Sequence, residues 1–158
     1  MNLLESLQHY QTICAHVRVQ TWQDALRAAV QPLVDRQLVL PAYYEAIITN
    51  TERHGPYYII SETCAIPHAE AGSLVRADCF SLVTLANLVY FPNDARPIRV
   101  LLGFGATTGA IHTGQVLPQI VALLEDPVVV AKMIEASSAS EIWSIIQTVD
   151  VLKYVSKG

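Results

Sequence analysis

The stretch Tyr57-Tyr58-Ile59-Ile60-Ser61-Glu62-Thr63-Cys64-Ala65-Ile66-Pro67-His68-Ala69 decides how the chain is read, because a short apolar run there ends on a proline and passes directly to a histidine. Pro67 has no N–H and a fixed φ, and it pushes Ile66 towards an extended backbone, so His68 is expected to project from a rigid stalk at a strand end. An imidazole held in this way can act as a nucleophile.

Working outward, two helices are expected before this stretch. Thr21-Trp22-Gln23-Asp24 resembles a capping box, and Trp22, Leu26, Ala29 and Leu33 follow at helical spacing, which predicts a helix over 22–36. A second follows Pro41 and reaches Arg53 before Gly55-Pro56 stops it. From Tyr57 the texture changes to short β-branched or aromatic runs at 57–60, 65–69, 79–85, 88–91 and 98–104, read as strands of a mixed sheet. After Gly103, Gly105 and Gly109 the helical period returns in Val116, Leu117, Ile120, Val121 and Leu124, and Pro127 opens another helix over 127–136. A second capping box, Ser138-Ala139-Ser140-Glu141, starts the last helix, which carries Ile142, Ile145, Ile146 and Val149. This order predicts an α/β domain of three layers, a central mixed β-sheet flanked by helices, forming a single unit over 1–158.

Composition narrows the function. Apolar residues make up 52% and charged residues 15%, which excludes a disordered chain. The net charge of −4, with arginines and lysines scattered and no basic stripe, excludes a nucleic-acid binder. The longest apolar stretch, 79–91, is broken by Ser81, Thr84 and Asn87 and falls short of the roughly 20 residues that a spanning helix needs. No basic region precedes an apolar run near Met1, so a cytoplasmic location is expected. Cys14, Cys64 and Cys79 form an odd set without C-x-x-C spacing, which predicts buried thiols and no disulfide framework.

Of five histidines, three fall where element ends should meet: His54 at the end of the second helix, His68 after the proline, and His112 in a glycine-rich loop opening a helix. Thr21-Trp22-Gln23-Asp24-Ala25, His54-Gly55-Pro56-Tyr57-Tyr58, Ala65-Ile66-Pro67-His68-Ala69, Ser81-Leu82-Val83-Thr84-Leu85, and His112 followed by Gln119-Ile120-Val121 and Leu124-Glu125-Asp126 occur in order. Together they resemble the enzyme IIA domains of the bacterial phosphoenolpyruvate-dependent sugar phosphotransferase system, of the mannitol/fructose type and its ascorbate-like branch. The resemblance spans nearly the whole chain. It implies the fold of those domains and a phosphocarrier in which His68 accepts a phosphoryl group from HPr and passes it to a cysteine of enzyme IIB. The carrier would work beside the membrane transporter enzyme IIC without touching the sugar, and no cofactor is implied.

That chemistry needs a neutral imidazole with one free lone pair near pH 7, which a histidine of unperturbed pKa about 6.5 supplies. The other ring nitrogen should donate to a backbone carbonyl, leaving Nε2 to carry phosphorus. His112, at a helix N-terminus, is disfavoured as a cation by about 0.3–1 kcal/mol. A phosphoryl charge at about 4 Å favours the cation by about 4 kcal/mol, so His112 is expected to protonate and bind it together with backbone N–H groups of 109–115. His54 is expected in a supporting shell around His68. Glu62-Thr63-Cys64 departs from the relatives' pattern, and Pro118 would kink a helix that began before it.

Four other readings compete. A metal site of His54, His68, His112 and Cys64 would consume the lone pair that phosphotransfer needs. A Cys64–His68 nucleophilic pair would need a sharp turn, since four extended residues span over ~12 Å. The same fold could also serve as a regulatory domain that binds a target protein in one phosphorylation state, or as an interaction module.

Overall fold

A computed structural model describes residues 2–156; the expected bounds 1–158 run on to Met1, Lys157 and Gly158, which lie outside the described residues. The chain opens with α1 (Leu3–Tyr10) and β1 (Ile13–Val17), two elements that the sequence reading left unassigned. Asn2 caps α1 by accepting from the Glu5 amide, and Gln11 ends it in the left-handed region at φ 56°. The two expected helices follow as α2 (Trp22–Asp35) and α3 (Ala42–His54). Thr21 accepts from the Asp24 amide at 3.1 Å, and Gly55, at φ 80°, turns the chain out of α3.

The sheet has four strands in the order β1-β3-β4-β2, with β2 at Cys64–Ala65, β3 at Cys79–Val89 and β4 at Ile98–Gly105. It is mixed: β1 runs parallel to β3, β2 parallel to β4, and β3 antiparallel to β4. The expected mixed-sheet α/β class therefore stands, with three strand boundaries corrected. The 57–60 run contributes only the bridge Ile59–Ala65. Of the 65–69 run only Ala65 stays in a strand, joined to Cys64 in β2, because Pro67 cannot donate to a ladder and the segment after Ala65 is fastened one group at a time. The 79–85 and 88–91 runs merge into β3, which shifts register between Thr84 and Val89. Asn87 makes that irregularity affordable by accepting from the Val19 amide at 3.1 Å and donating to its carbonyl at 2.7 Å.

Helix α2 lies on β3 and β4 where Ser81 donates to the Ala29 carbonyl at 2.6 Å. Ser81 pairs across the ladder with Gly103, and a Cβ at 103 would stand 2.7 Å from Ser81 Oγ, so this close approach requires glycine. Tyr43, Tyr58, Phe80 and Phe104 are the bulkiest side chains wholly inside the core.

The last third departs most from expectation. One continuous helical stretch runs from α4 (Gly109–Ile111) through a π turn (His112–Val116) to α5 (Leu117–Leu124). The kink expected at Pro118 is absorbed by this turn, and Pro118 falls in the first turn of regular α5, where its missing N–H costs nothing. Helices α6 (Pro127–Glu135) and α7 (Ala139–Ile146) begin where Asp126 and Ser138 cap them. Among the described residues no helix is long and apolar enough to cross a membrane.

Candidate functional site

The site forms at the carboxyl ends of β2 and β4, a common place for chemistry in sheets with parallel neighbours. The chain leaving β2 is fixed at each step. Ile66 N–H donates to the Tyr58 carbonyl at 2.8 Å, and the Pro67 carbonyl accepts from Phe104 N–H at 3.2 Å. Tyr43 Oη accepts from Ala69 N–H at 3.0 Å while donating to the Phe104 carbonyl at 2.6 Å, so one buried hydroxyl ties the histidine loop to β4. Tyr57 Oη donates to the His68 carbonyl itself.

His68 Nδ1 lies 2.7 Å from the Ile66 carbonyl oxygen. A carbonyl can only accept, so Nδ1 carries the proton and the Nε2 lone pair is free. The ring is half-buried, stacked on Phe104 with centroids 4.5 Å apart and an interplanar angle of 22°, and edge-on to Tyr57 at 5.4 Å. Burial lowers its pKa from 6.5 to about 4, against the upward pull of the Ile66 carbonyl; His112 adds a smaller lowering. His68 is therefore neutral at pH 7.

The end of β4 and the loop after it place the second imidazole. Asp78 accepts from Thr107 N–H at 2.7 Å and Thr107 Oγ1–H at 3.0 Å, which pins the loop. Thr108 then caps the helix: its Oγ1 accepts from the Ile111 amide at 3.1 Å and its carbonyl from the His112 amide at 3.1 Å. The His112 ring stands 5.1 Å from that of His68 at 75°, and 5.2 Å from Phe104. Burial lowers the His112 pKa as well. Ile111 and His112 thus have their amides engaged, which leaves Gly109 and Ala110 as the amides at the head of the helix without intrahelical partners.

Asn50, Tyr57, His68, Glu70, His112 and Thr113 are among the residues lining an open groove of about 480 Å³. His54 is not one of them; it stands exposed at the end of α3. Cys64 is buried in β2, burial pushes its thiol up, and it lines a different cleft with Leu124 and Val130. The structure thus brings His68 and His112 together and leaves His54 and Cys64 apart. Among the described residues no three His, Cys, Asp or Glu side chains gather as metal ligands. Glu62 is exposed, and the Thr63 backbone carbonyl beside it accepts from the Arg99 and Val100 amides, so the segment at 62–64 is tied to β4 by its main chain. Sequence reasoning missed Tyr43 and Asp78, whose partners lie far away in the chain, and Asn50, which lines the groove.

Comparison with known proteins adds the following. Residues 6–149 match the family described as "Phosphoenolpyruvate-dependent sugar phosphotransferase system, EIIA 2". A Mycoplasma pneumoniae protein named "Ascorbate-specific PTS system EIIA component" is 41% identical over 150 residues, covering 95% of this chain and 94% of that protein. A solved structure from Streptococcus mutans, PtxA, carrying the designation PTS IIA, superposes with a TM-score of 0.92 at 35% identity over 100% of both chains. The complex of enzyme IIA and phosphorylated enzyme IIB for mannitol from Escherichia coli matches over 87% of this chain and 94% of that one; at 21% identity and a TM-score of 0.75 it shows a shared fold.

Proposed function

The chain belongs to the EIIA 2 family of the phosphoenolpyruvate-dependent sugar phosphotransferase system, and from that premise we propose that His68 Nε2 is the atom that carries phosphorus. EIIA components are phosphotransferases that work through a phosphohistidine. The observation that carries the assignment is the Nδ1 to Ile66 carbonyl bond, which leaves Nε2 unprotonated on a ring that burial keeps neutral. The lone pair of Nε2 attacks phosphorus, the bond from phosphorus to the donor's imidazole breaks, and that electron pair returns to the donor, phospho-HPr. Since Nδ1 keeps its proton, the phosphorylated ring is positively charged, and the Ile66 carbonyl stabilises it by accepting a charge-assisted hydrogen bond. A cysteine thiolate of enzyme IIB then attacks the phosphorus and the N–P electron pair returns to His68.

His112 is the phosphate-binding partner. Next to the incoming dianion its neutral ring gains a proton, and with the amides of Gly109 and Ala110 it compensates the charge. The relatives named as ascorbate-specific support ascorbate, or a sugar acid like it, as the solute whose uptake this carrier serves in the cytoplasm. The carrier itself meets only proteins. Incubation with phosphoenolpyruvate, enzyme I and HPr should add one acid-labile phosphoryl group by intact mass, and His68→Ala should add none. Phosphorylation should raise the His112 pKa in an NMR titration. A His68→Ala protein that still takes up the group defeats the assignment.

A further inference from the structure

We infer that Pro118, by imposing the π turn on His112–Val116, is the positioning residue that rotates His112 out of the buried face of its helix and onto His68. The inference rests on the reading of His112 as the partner of the phosphoryl group. The backbone is helical at both ends of the turn: Ile111 (φ −66°, ψ −45°), His112 (−52°, −54°), Val116 (−71°, −56°) and Leu117 (−60°, −43°) all lie in the right-handed region. Only the hydrogen bonding changes, since Leu117 N–H donates to the His112 carbonyl, five residues back, where a regular helix would use Thr113.

Pro118 supplies the cause. In a regular helix it would remove the bond to the Gly114 carbonyl and press its ring against that oxygen. One extra residue in the turn relieves the clash.

The consequence for His112 follows from helix geometry. The buried residues downstream are Val116, Gln119, Ile120, Ala122 and Leu123. In an uninterrupted helix, at about 100° per residue, these would lie at about +40°, −20°, +80°, −80° and +20° from His112, which places the histidine inside the buried stripe. One inserted residue turns everything before it by about 100° relative to α5. His112 is accordingly half-buried in the groove, with Phe104 and His68 as ring neighbours.

The two ends of the stretch differ in how firmly they are held. Helix α5 is anchored by the burial of Ile120 and Leu123 and by Gln119 Oε1 accepting from Leu3 N–H at 2.6 Å. Gln119 Nε2 also donates to the Gln115 carbonyl, a group inside the turn. The three residues of α4 bury no side chain. If the turn relaxed to a regular helix, α4 and His112 would rotate and α5 would stay.

The test is Pro118→Ala, with the His112 pKa read by NMR before and after phosphorylation of His68, and transfer to enzyme IIB timed. The expected result is loss of the phosphorylation-linked rise in the His112 pKa and a fall in transfer rate of about tenfold or more, with no loss of thermal stability. Deleting Gly114 in the Pro118→Ala background removes the extra residue and should restore both readouts. Unchanged readouts in Pro118→Ala overturn the inference. So does a double variant that folds without recovering, because Pro118 would then act through something other than helical register. His112→Ala is the separate control: wild-type transfer there overturns the role of His112 itself, whatever Pro118 does.

Discussion

Lowering the pH should destabilise this protein through His68 before most of its carboxylates respond. The folded pKa of His68, about 4, lies below the ordinary 6.5 because burial opposes the cation. Above pH 6.5 neither folded nor unfolded chain protonates this ring, so its titration contributes nothing. As the pH falls through 6.5 the unfolded chain takes a proton that the folded chain refuses, and stability drops; near pH 4 the folded ring also protonates and the loss levels off. Two and a half units at 1.36 kcal/mol each give a total of about 3 kcal/mol, of which about 2 kcal/mol is lost by pH 5. Urea unfolding at about pH 7 and pH 5 measures it. The comparison is between wild type and His68→Gln, both in a His112→Gln background, because burial lowers the His112 pKa too and its titration runs in the same direction. The wild-type ring should lose about 2 kcal/mol more than the glutamine variant between these conditions. Parallel losses would refute the claim that the folded site excludes the imidazolium.

Two substitutions test the supports of the site. Tyr43→Phe removes a hydroxyl that serves the Ala69 amide and the Phe104 carbonyl at once. Two buried backbone groups left unpaired should cost about 3 kcal/mol, read from chemical denaturation, and a loss under about 1 kcal/mol would show that the hydroxyl is dispensable. Gly103→Ala places a Cβ 2.7 Å from Ser81 Oγ and should cost about 1–3 kcal/mol. Adding Ser81→Ala should return part of that loss, and strict additivity of the two changes would show that the clash lies elsewhere.

How much of this was legible in the sequence depended on how local the physics is. Helices α2, α6 and α7 announce themselves because their caps and apolar periods are local, as with Thr21 on Asp24 and Ser138 on Glu141, and α3 through Pro41 at its start and Gly55 at its end. Element α1 and strand β1 were not read; β1 is fixed by its pairing with Leu82 and Val83, about seventy residues away. His68 could be found because the proline that stiffens it is its neighbour. Its tautomer was foreseeable in kind, and the carbonyl that sets it belongs to Ile66, two residues back. Tyr43 and Asp78 could not be found, because a tyrosine on a helix and an aspartate before a strand carry no mark of partners 26 to 61 residues distant. Pro118 was visible as an anomaly. Only coordinates show that the helix absorbs it by widening one turn.

If His68 carries the phosphoryl group as proposed, its depressed basicity bears on the direction of transfer. Burial that lowers the pKa to about 4 makes Nε2 a weaker nucleophile towards the donor, yet the same loss of basicity makes the ring a better leaving group when a thiolate attacks its phosphoryl group. Retaining the proton on Nδ1 strengthens the second effect, since the cationic phosphorylated ring then departs as a neutral imidazole. A terminal phosphate store would gain from a basic histidine and a tight N–P bond. A carrier must give up what it accepts, and the stacking on Phe104 and the bond to the Ile66 carbonyl together set His68 for release. Phe104→Ala should therefore raise the His68 pKa, lengthen the life of the phosphorylated form in the presence of enzyme IIB, and leave acceptance from HPr comparatively intact; a variant with a raised pKa and undiminished transfer to enzyme IIB would show that basicity does not control the release step.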